Sequence, residues 1–326
     1  MHTLNKLFAA GLLALAAVGS ATAAPFVLTN GAGNGQISVG VDGFGAFGSS
    51  VGGNSTDAFF NPVGVTPPTA GTVFESGVAI RVGAGTTGAR TFLTSGDIGG
   101  SGSLVNPVVS GSATSATSTF TFSGLSFTLT QTLTDIFTAG VQTGTVLTQS
   151  YAIVNTGTAA ASFEMLRYLD GDLLFDSSLV DGGGRLTAGG TEVLFETDSA
   201  TGSSTATTFV GITGEGGVIP VTGRYEIDSF SGLRGRIVAG TALDDLITGD
   251  GADADQFVDA GGGYDVTLAL RNLFTLGVGG SGTYTTRTIF GNGTPDSVGG
   301  TPEPGVLALV GLGLMGVAAS RRRRTV

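Results

Sequence analysis

Ser118-Thr119-Phe120-Thr121-Phe122-Ser123-Gly124-Leu125-Ser126-Phe127-Thr128-Leu129 alternates apolar and hydroxyl side chains with a period of two, and Leu133 carries the pattern on toward Phe137. That period places the apolar residues on one face of a strand and the threonines on the other. The phase slips by one residue at Ser123-Gly124. A two-residue hairpin turn accounts for the slip, pairing Phe122 with Leu125 and Phe120 with Phe127 on one face. A β-bulge is the alternative, and either makes antiparallel sheet with one solvated face.

Working outward, strands of the same kind recur. Ile37–Val41 and Val73–Val82 precede the hairpin. After it come 146–154, closed by the turn residues Asn155-Thr156-Gly157, then 163–169, 192–196, Thr208–Ile212, 224–227, 236–238, Val266–Leu276 and 283–290. Pro62, Pro67 and Pro68 make 61–69 a loop, and 96–103 reads as a turn region. With 58 glycines, abundant Thr and Ser, and Val and Phe in place of Lys and Glu, the composition disfavours helix. Strand spacing of roughly 10–15 residues favours a sandwich over βαβ units. No helix-period stretch is long enough to cross over a parallel sheet, and no fixed-period repeat points to a propeller. The expected fold is all-β, an antiparallel β-sandwich, and the roughly 270 residues of 24–290 leave room for an enlarged one.

Both ends read as addresses. Residues 1–23 form a signal peptide: Lys6 in the n-region, an apolar 7–18, and Ala21-Thr22-Ala23 as a cleavage site before Ala24. At the other end Pro302-Glu303-Pro304 precedes an apolar run, 305–319, and then Arg321, Arg322, Arg323 and Arg324. As a helix that run rises roughly 22 Å, short of the ~30 Å hydrocarbon core. Its leucines and valines contribute about −2 to −4 kcal/mol of insertion, so the arginines must hold the cytoplasmic end by charge and by snorkelling. A buried core helix with a solvated basic end is the competing reading. In order and spacing the three parts resemble the PEP-CTERM sorting signal of bacterial exported proteins. The resemblance implies recognition and cleavage near Pro302-Glu303-Pro304 by an exosortase, with 291–300 as a polar spacer and 301–326 as the sorting signal. It further implies transient residence in the inner membrane through a short C-terminal transmembrane helix, then release to the cell surface or beyond.

Removing the two ends changes the charge. Of 14 basic side chains Lys6 and four arginines belong to the ends, leaving nine; of 25 acidic ones only Glu303 does, leaving 24 and a net charge of −15. Such a body repels nucleic acid and anionic lipid, so no nucleic-acid partner is expected. The only His is His2 and the only Lys is Lys6, and there is no Cys or Trp. The body therefore cannot run Ser-His-Asp or Cys-His chemistry, form a lysine Schiff base, or hold zinc through nitrogen or sulfur. Carboxylate, hydroxyl and arginine chemistry remain.

Carboxylates concentrate in two runs. The first holds Asp170, Asp172, Asp176 and Asp181; the second holds Asp244, Asp245, Asp250, Asp253, Asp255, Asp259 and Asp265. Oxygen ligands alternating with glycine suit Ca²⁺, which takes about 6–8 oxygens. The candidate ligands are Asp170, Asp172 and Asp176 in the first run and Asp245, Asp250, Asp253 and Asp255 in the second. Solvated Asp-rich turns are the plainer explanation. Residues 249–253 and 260–265 resemble the glycine-aspartate nonapeptide of RTX calcium proteins, without its tandem repeat. An EF-hand is excluded, because the twelfth position after Asp250 is Gly261 where a bidentate Glu is needed. A glycosidase needs only two positioned carboxylates, for which Asp170, Asp172, Glu192 and Glu226 would serve. With no Trp, Tyr151, Tyr168 and Tyr264 would have to stack the sugar.

The expectation is a non-catalytic exported surface or extracellular-matrix protein, reaching its place through the export machinery and an exosortase, with extracellular polysaccharide as a partner. The alternatives are a Ca²⁺-dependent adhesion or glycan-binding module and, third, a carboxylate-based glycan-processing enzyme.

Overall fold

The computed structural model describes residues 24–64, 71–83, 88–198, 208–252, 254–259, 261–292 and 295. The chain opens with β1 (Phe26–Thr29), β2 (Ile37–Val41) and β3 (Ala58–Phe60), with the one-turn helix α1 (Ser49–Gly52) between the last two. β4 (Val73–Val82) and β5 (Thr91–Leu93) follow. A run of hairpins comes next: β6 (Val109–Ser112), β7 (Ser115–Phe122), β8 (Leu125–Thr138) and β9 (Val141–Asn155). β10 (Ala161–Gly171) leads to β11 (Gly182–Ala188), β12 (Thr191–Thr197) and β13 (Thr208–Ile212). Then come β14 (Tyr225–Ser229), helix α2 (Phe230–Ala239), β15 (Val266–Leu276) and β16 (Ser281–Asn292).

Every ladder between these strands is antiparallel. They form a three-stranded sheet (β1-β2-β3), a five-stranded sheet (β14-β15-β10-β4-β5) and an eight-stranded sheet (β11-β12-β13-β16-β9-β8-β7-β6). The all-β expectation holds, and the connectivity of hairpins and neighbours needs no crossover helix.

The quoted stretch becomes β7 and β8 with the expected register, Phe122 opposite Leu125 and Phe120 opposite Phe127. Ser123 and Gly124 both take positive φ, 48° and 78°, as a tight hairpin turn twisted like its strands requires. The bulge in this ribbon lies elsewhere, between Ile136 and Phe137. Phe120 and Phe127 stack with their centroids 4.8 Å apart. On the buried side Leu125, Phe127 and Leu129 meet Tyr151 and Ile153 of β9, Val78 and Ile80 of β4, and Phe163 and Met165 of β10. The eight- and five-stranded sheets thus face each other across one core.

The five-stranded sheet is buried on its other face too. There Ala79, Phe92, Leu166, Tyr168 and Ala269 are covered by Leu233 and Ile237 of α2 and by Ile98. This explains why β4 and β10 are buried along almost their whole length, whereas the first half of β8 alternates. Helix α2 corrects one expectation: residues 236–238 are its last turn, not a strand. Gly240 ends it in the left-handed conformation, φ 80°, with its amide on the Arg236 and Ile237 carbonyls. The body also extends past residue 290, because β16 runs to Asn292, whose side chain accepts a hydrogen bond from the Val63 amide. The expected signal peptide, most of the spacer and the expected C-terminal helix lie outside the described residues. Among the described residues no helix is long and apolar enough to cross a membrane.

Candidate metal centre

Antiparallel pairing of β10 with β15 sets the end of one strand beside the start of the other, with Asp170 opposite Thr267. On its other side β10 slips register against β4 between Asp170 and Gly171. Such a slip re-aims the side chains that follow it. The Asp172 amide is fixed by donating to the Thr72 carbonyl at 3.0 Å. Asp265, the residue before β15, completes the group: carboxylate oxygens of Asp170, Asp172 and Asp265 all lie within 4.8 Å of one another. Among the described residues no other three acidic side chains converge in this way.

Two further carboxylates border them. Asp181, just before β11, exchanges backbone hydrogen bonds with Tyr264 (2.9 and 3.2 Å) and so is tied to the start of β15. Glu196, on β12, shares its strand face with Leu194, which is fully buried in the core. It points inward and is itself 0% exposed. Its carboxylate rests on the backbone of Gly171, where a Cβ would stand 2.0 Å from Oε2. Only glycine permits this approach, which seats Glu196 over the peptide joining Asp170 to Asp172. Neither oxygen of Glu196 meets a hydrogen-bond donor, and the same is true of Oδ1 of Asp181 and of Asp265.

Burial and mutual repulsion dominate the electrostatics. Burial first, then Asp265 and Asp172, push Asp170 up to about 9. Asp172 rises to about 7 by burial and by Asp265, and Asp198, at the rim, to about 6 by burial. Asp181 and Glu196 face each other and titrate together. Burial first raises Asp181 to about 8, and burial first, then the Asp181 charge, holds Glu196 well above the usual range. The charges acting on Asp170, Asp172, Asp181 and Glu196 all come from other carboxylates. Arg234, whose charge acts on the neighbouring Tyr168, is bound to Glu75. A buried set of anions with no protein cation can be neutralised in two ways, by protons or by a bound cation.

The sequence-selected residues divide accordingly. Asp170 and Asp172 belong to this centre. Asp176 stands at its edge, where its Oδ1 accepts the Ser178 amide at 2.8 Å. Of the described residues of the second run only Asp265 joins the centre. Asp245 instead accepts the amides of Gly223, Arg224 and Tyr225 at 2.5, 2.6 and 3.1 Å, pinning the entrance to β14. Asp250 and Asp255 both accept the Phe257 amide, at 3.1 and 2.9 Å, which closes their loop. Asp253 lies outside the described residues. Glu192 is held by Arg185 and Arg224 (2.8 and 2.7 Å), and Glu226 by Arg236, so neither stands with Asp170 and Asp172. Sequence reasoning grouped Asp181 and Asp265 with the two runs without choosing them as ligands, and it passed over Glu196. The signal for Glu196 was its phase: it falls on the same face as the buried Leu194, the inward face of an apolar strand.

The fold and this site define an acidic, mainly antiparallel β protein with a buried carboxylate centre. The PEP-CTERM protein-sorting motif matches residues 301–324. The chain is thus a PEP-CTERM-containing protein, and the motif marks it as exported. None of the curated proteins matches it. Among solved structures a polysaccharide lyase is similar at 14% identity and a TM-score of 0.36, over 75% of this chain and 30% of that one. The chain spans less than a third of that structure, and nothing about the body's activity is carried over from it.

Proposed function

We propose that the mature protein is a non-catalytic component of the outer cell surface or the extracellular polysaccharide matrix. On this reading an exosortase processes the chain at Pro302-Glu303-Pro304 while the tail holds it in the inner membrane. The observation that carries the proposal is the sorting motif at 301–324. A body whose mature part holds no His, Lys or Cys supports it by narrowing the catalytic options. The hydroxyl-rich outer faces of β7 and β8 supply a polar surface suited to hydrated polysaccharide. A specific observation favours a second reading, a Ca²⁺-dependent adhesion or glycan-binding module: the convergence of Asp170, Asp172 and Asp265.

Fractionating the native cells and sequencing the protein's termini by mass spectrometry tests the first reading. Material at the surface or in the medium should begin near Ala24 and lack Arg321–Arg324, and it should vanish from a strain without exosortase. Full-length protein confined to the cytoplasm would refute it. Retention on immobilised matrix polysaccharide only when Ca²⁺ is supplied would favour the second reading.

A further inference from the structure

We infer that Asp170, Asp172 and Asp265 are the ligands of a Ca²⁺ ion, with Glu196 and Asp181 completing its acidic lining. The inference rests on the geometry of the body alone and does not depend on where the protein is sorted.

Ca²⁺ binds oxygens at about 2.3–2.6 Å, so two ligands on opposite sides of one ion are separated by up to about 5 Å. The three aspartate oxygens, mutually within 4.8 Å, fit one such shell. A second and separate observation is Glu196. It is fully buried, both its oxygens lack a donor, and it is seated on Gly171 between two of the three aspartates. An ionised carboxylate in that position, without a cation, would cost several kcal/mol. The donor set contains only oxygen, which suits a hard cation and not zinc or copper. The ligands come from the end of β10 and the start of β15, and the lining from β11 and β12. One ion would therefore clasp the five- and eight-stranded sheets together at this end of the sandwich.

The test uses the full chain purified in mild detergent and stripped with a chelator. Calorimetric titration with CaCl₂ should give one site per chain, and saturating Ca²⁺ should raise the melting temperature by several degrees. Tb³⁺, a luminescent stand-in for Ca²⁺, should be sensitised by tyrosine, because the Tyr168 hydroxyl lies 3.4 Å from Asp170 Oδ2. Ca²⁺ should displace it. Asp265→Asn should weaken Ca²⁺ binding by about tenfold or more, since ligand charge tunes affinity. Its chelated form should melt above the chelated wild type, because one repelling charge is gone. That second measurement separates loss of a ligand from loss of the fold. Absence of both binding heat and a melting shift at millimolar Ca²⁺ would overturn the inference. So would binding unchanged in Asp265→Asn, or an equal response to Mg²⁺. None of these outcomes bears on where the protein is sorted.

Discussion

At the scale of single residues the strongest constraint is Glu164, a carboxylate that receives three buried arginines. Arg81, Arg90 and Arg271 approach it at 2.9, 2.6 and 3.4 Å, and all four side chains are at most 7% exposed. Further guanidinium protons go to the Ile237, Gly240 and Thr241 carbonyls at the end of α2, and Arg271 also donates to the Thr222 carbonyl. Removing the acid would leave three desolvated cations facing one another. Glu164→Gln should therefore destabilise the body by about 3–5 kcal/mol, read as a lower urea midpoint. The Arg185–Glu192 pair, with Arg185 35% exposed, is worth only about 0–1 kcal/mol. No local signal marks Glu164 among the other acids. Its partners come from β4, from the residue before β5 and from β15, and only the sheet order assembles them.

At the scale of elements the β7–β8 hairpin and helix α2 make opposite cases. The hairpin is written locally: period-two patterning on both arms and a turn dipeptide that tolerates positive φ. Gly124→Ala would force a Cβ into the left-handed region at φ 78° and should cost about 1–2 kcal/mol in equilibrium unfolding. An unchanged midpoint would mean that the turn relaxes to another type. Helix α2 is not written locally. Gly232 and Gly235 weaken it, Ser229 makes no side-chain cap, and Ile237-Val238 has the β-branched look of a strand. Burial of Leu233 and Ile237 against Tyr168 and Phe92, and the pairing of Arg234 with Glu75 and of Arg236 with Asp228, hold it instead. Residues 236–238 were misread because tertiary packing overrode propensity there.

At the scale of the whole molecule the carboxylate centre couples stability to pH and to metal. Asp170, Asp181 and Asp172 have folded-state values of about 9, 8 and 7, all above the ordinary 3.8. Between those limits the folded state binds more protons than the unfolded one, so stability must fall as pH rises. In chelator the melting temperature should therefore decrease steadily from about pH 5 to about pH 9. Added Ca²⁺, which competes with protons for the same oxygens, should open a gap over the chelated protein that widens toward high pH. A flat profile in chelator would show that the carboxylates are not paired with protons in the folded state.

What the sequence determined by itself was everything local or additive: the strand period, the turn dipeptide, the sorting motif, the net charge and the residue types that are missing. Each of these is carried by neighbours in the chain or by a simple count, so no three-dimensional knowledge is needed to read it. Asp170 and Asp172 were legible because glycine sets them two residues apart at the end of a strand. That Asp265 and Glu196 meet them, while Asp245 and Asp250 turn back to cap their own loops, was decided only in the tertiary structure. Convergence of that kind depends on which strands become neighbours and in which register. Those pairings are settled by burial of the whole core, not by the residues that happen to arrive at its edge.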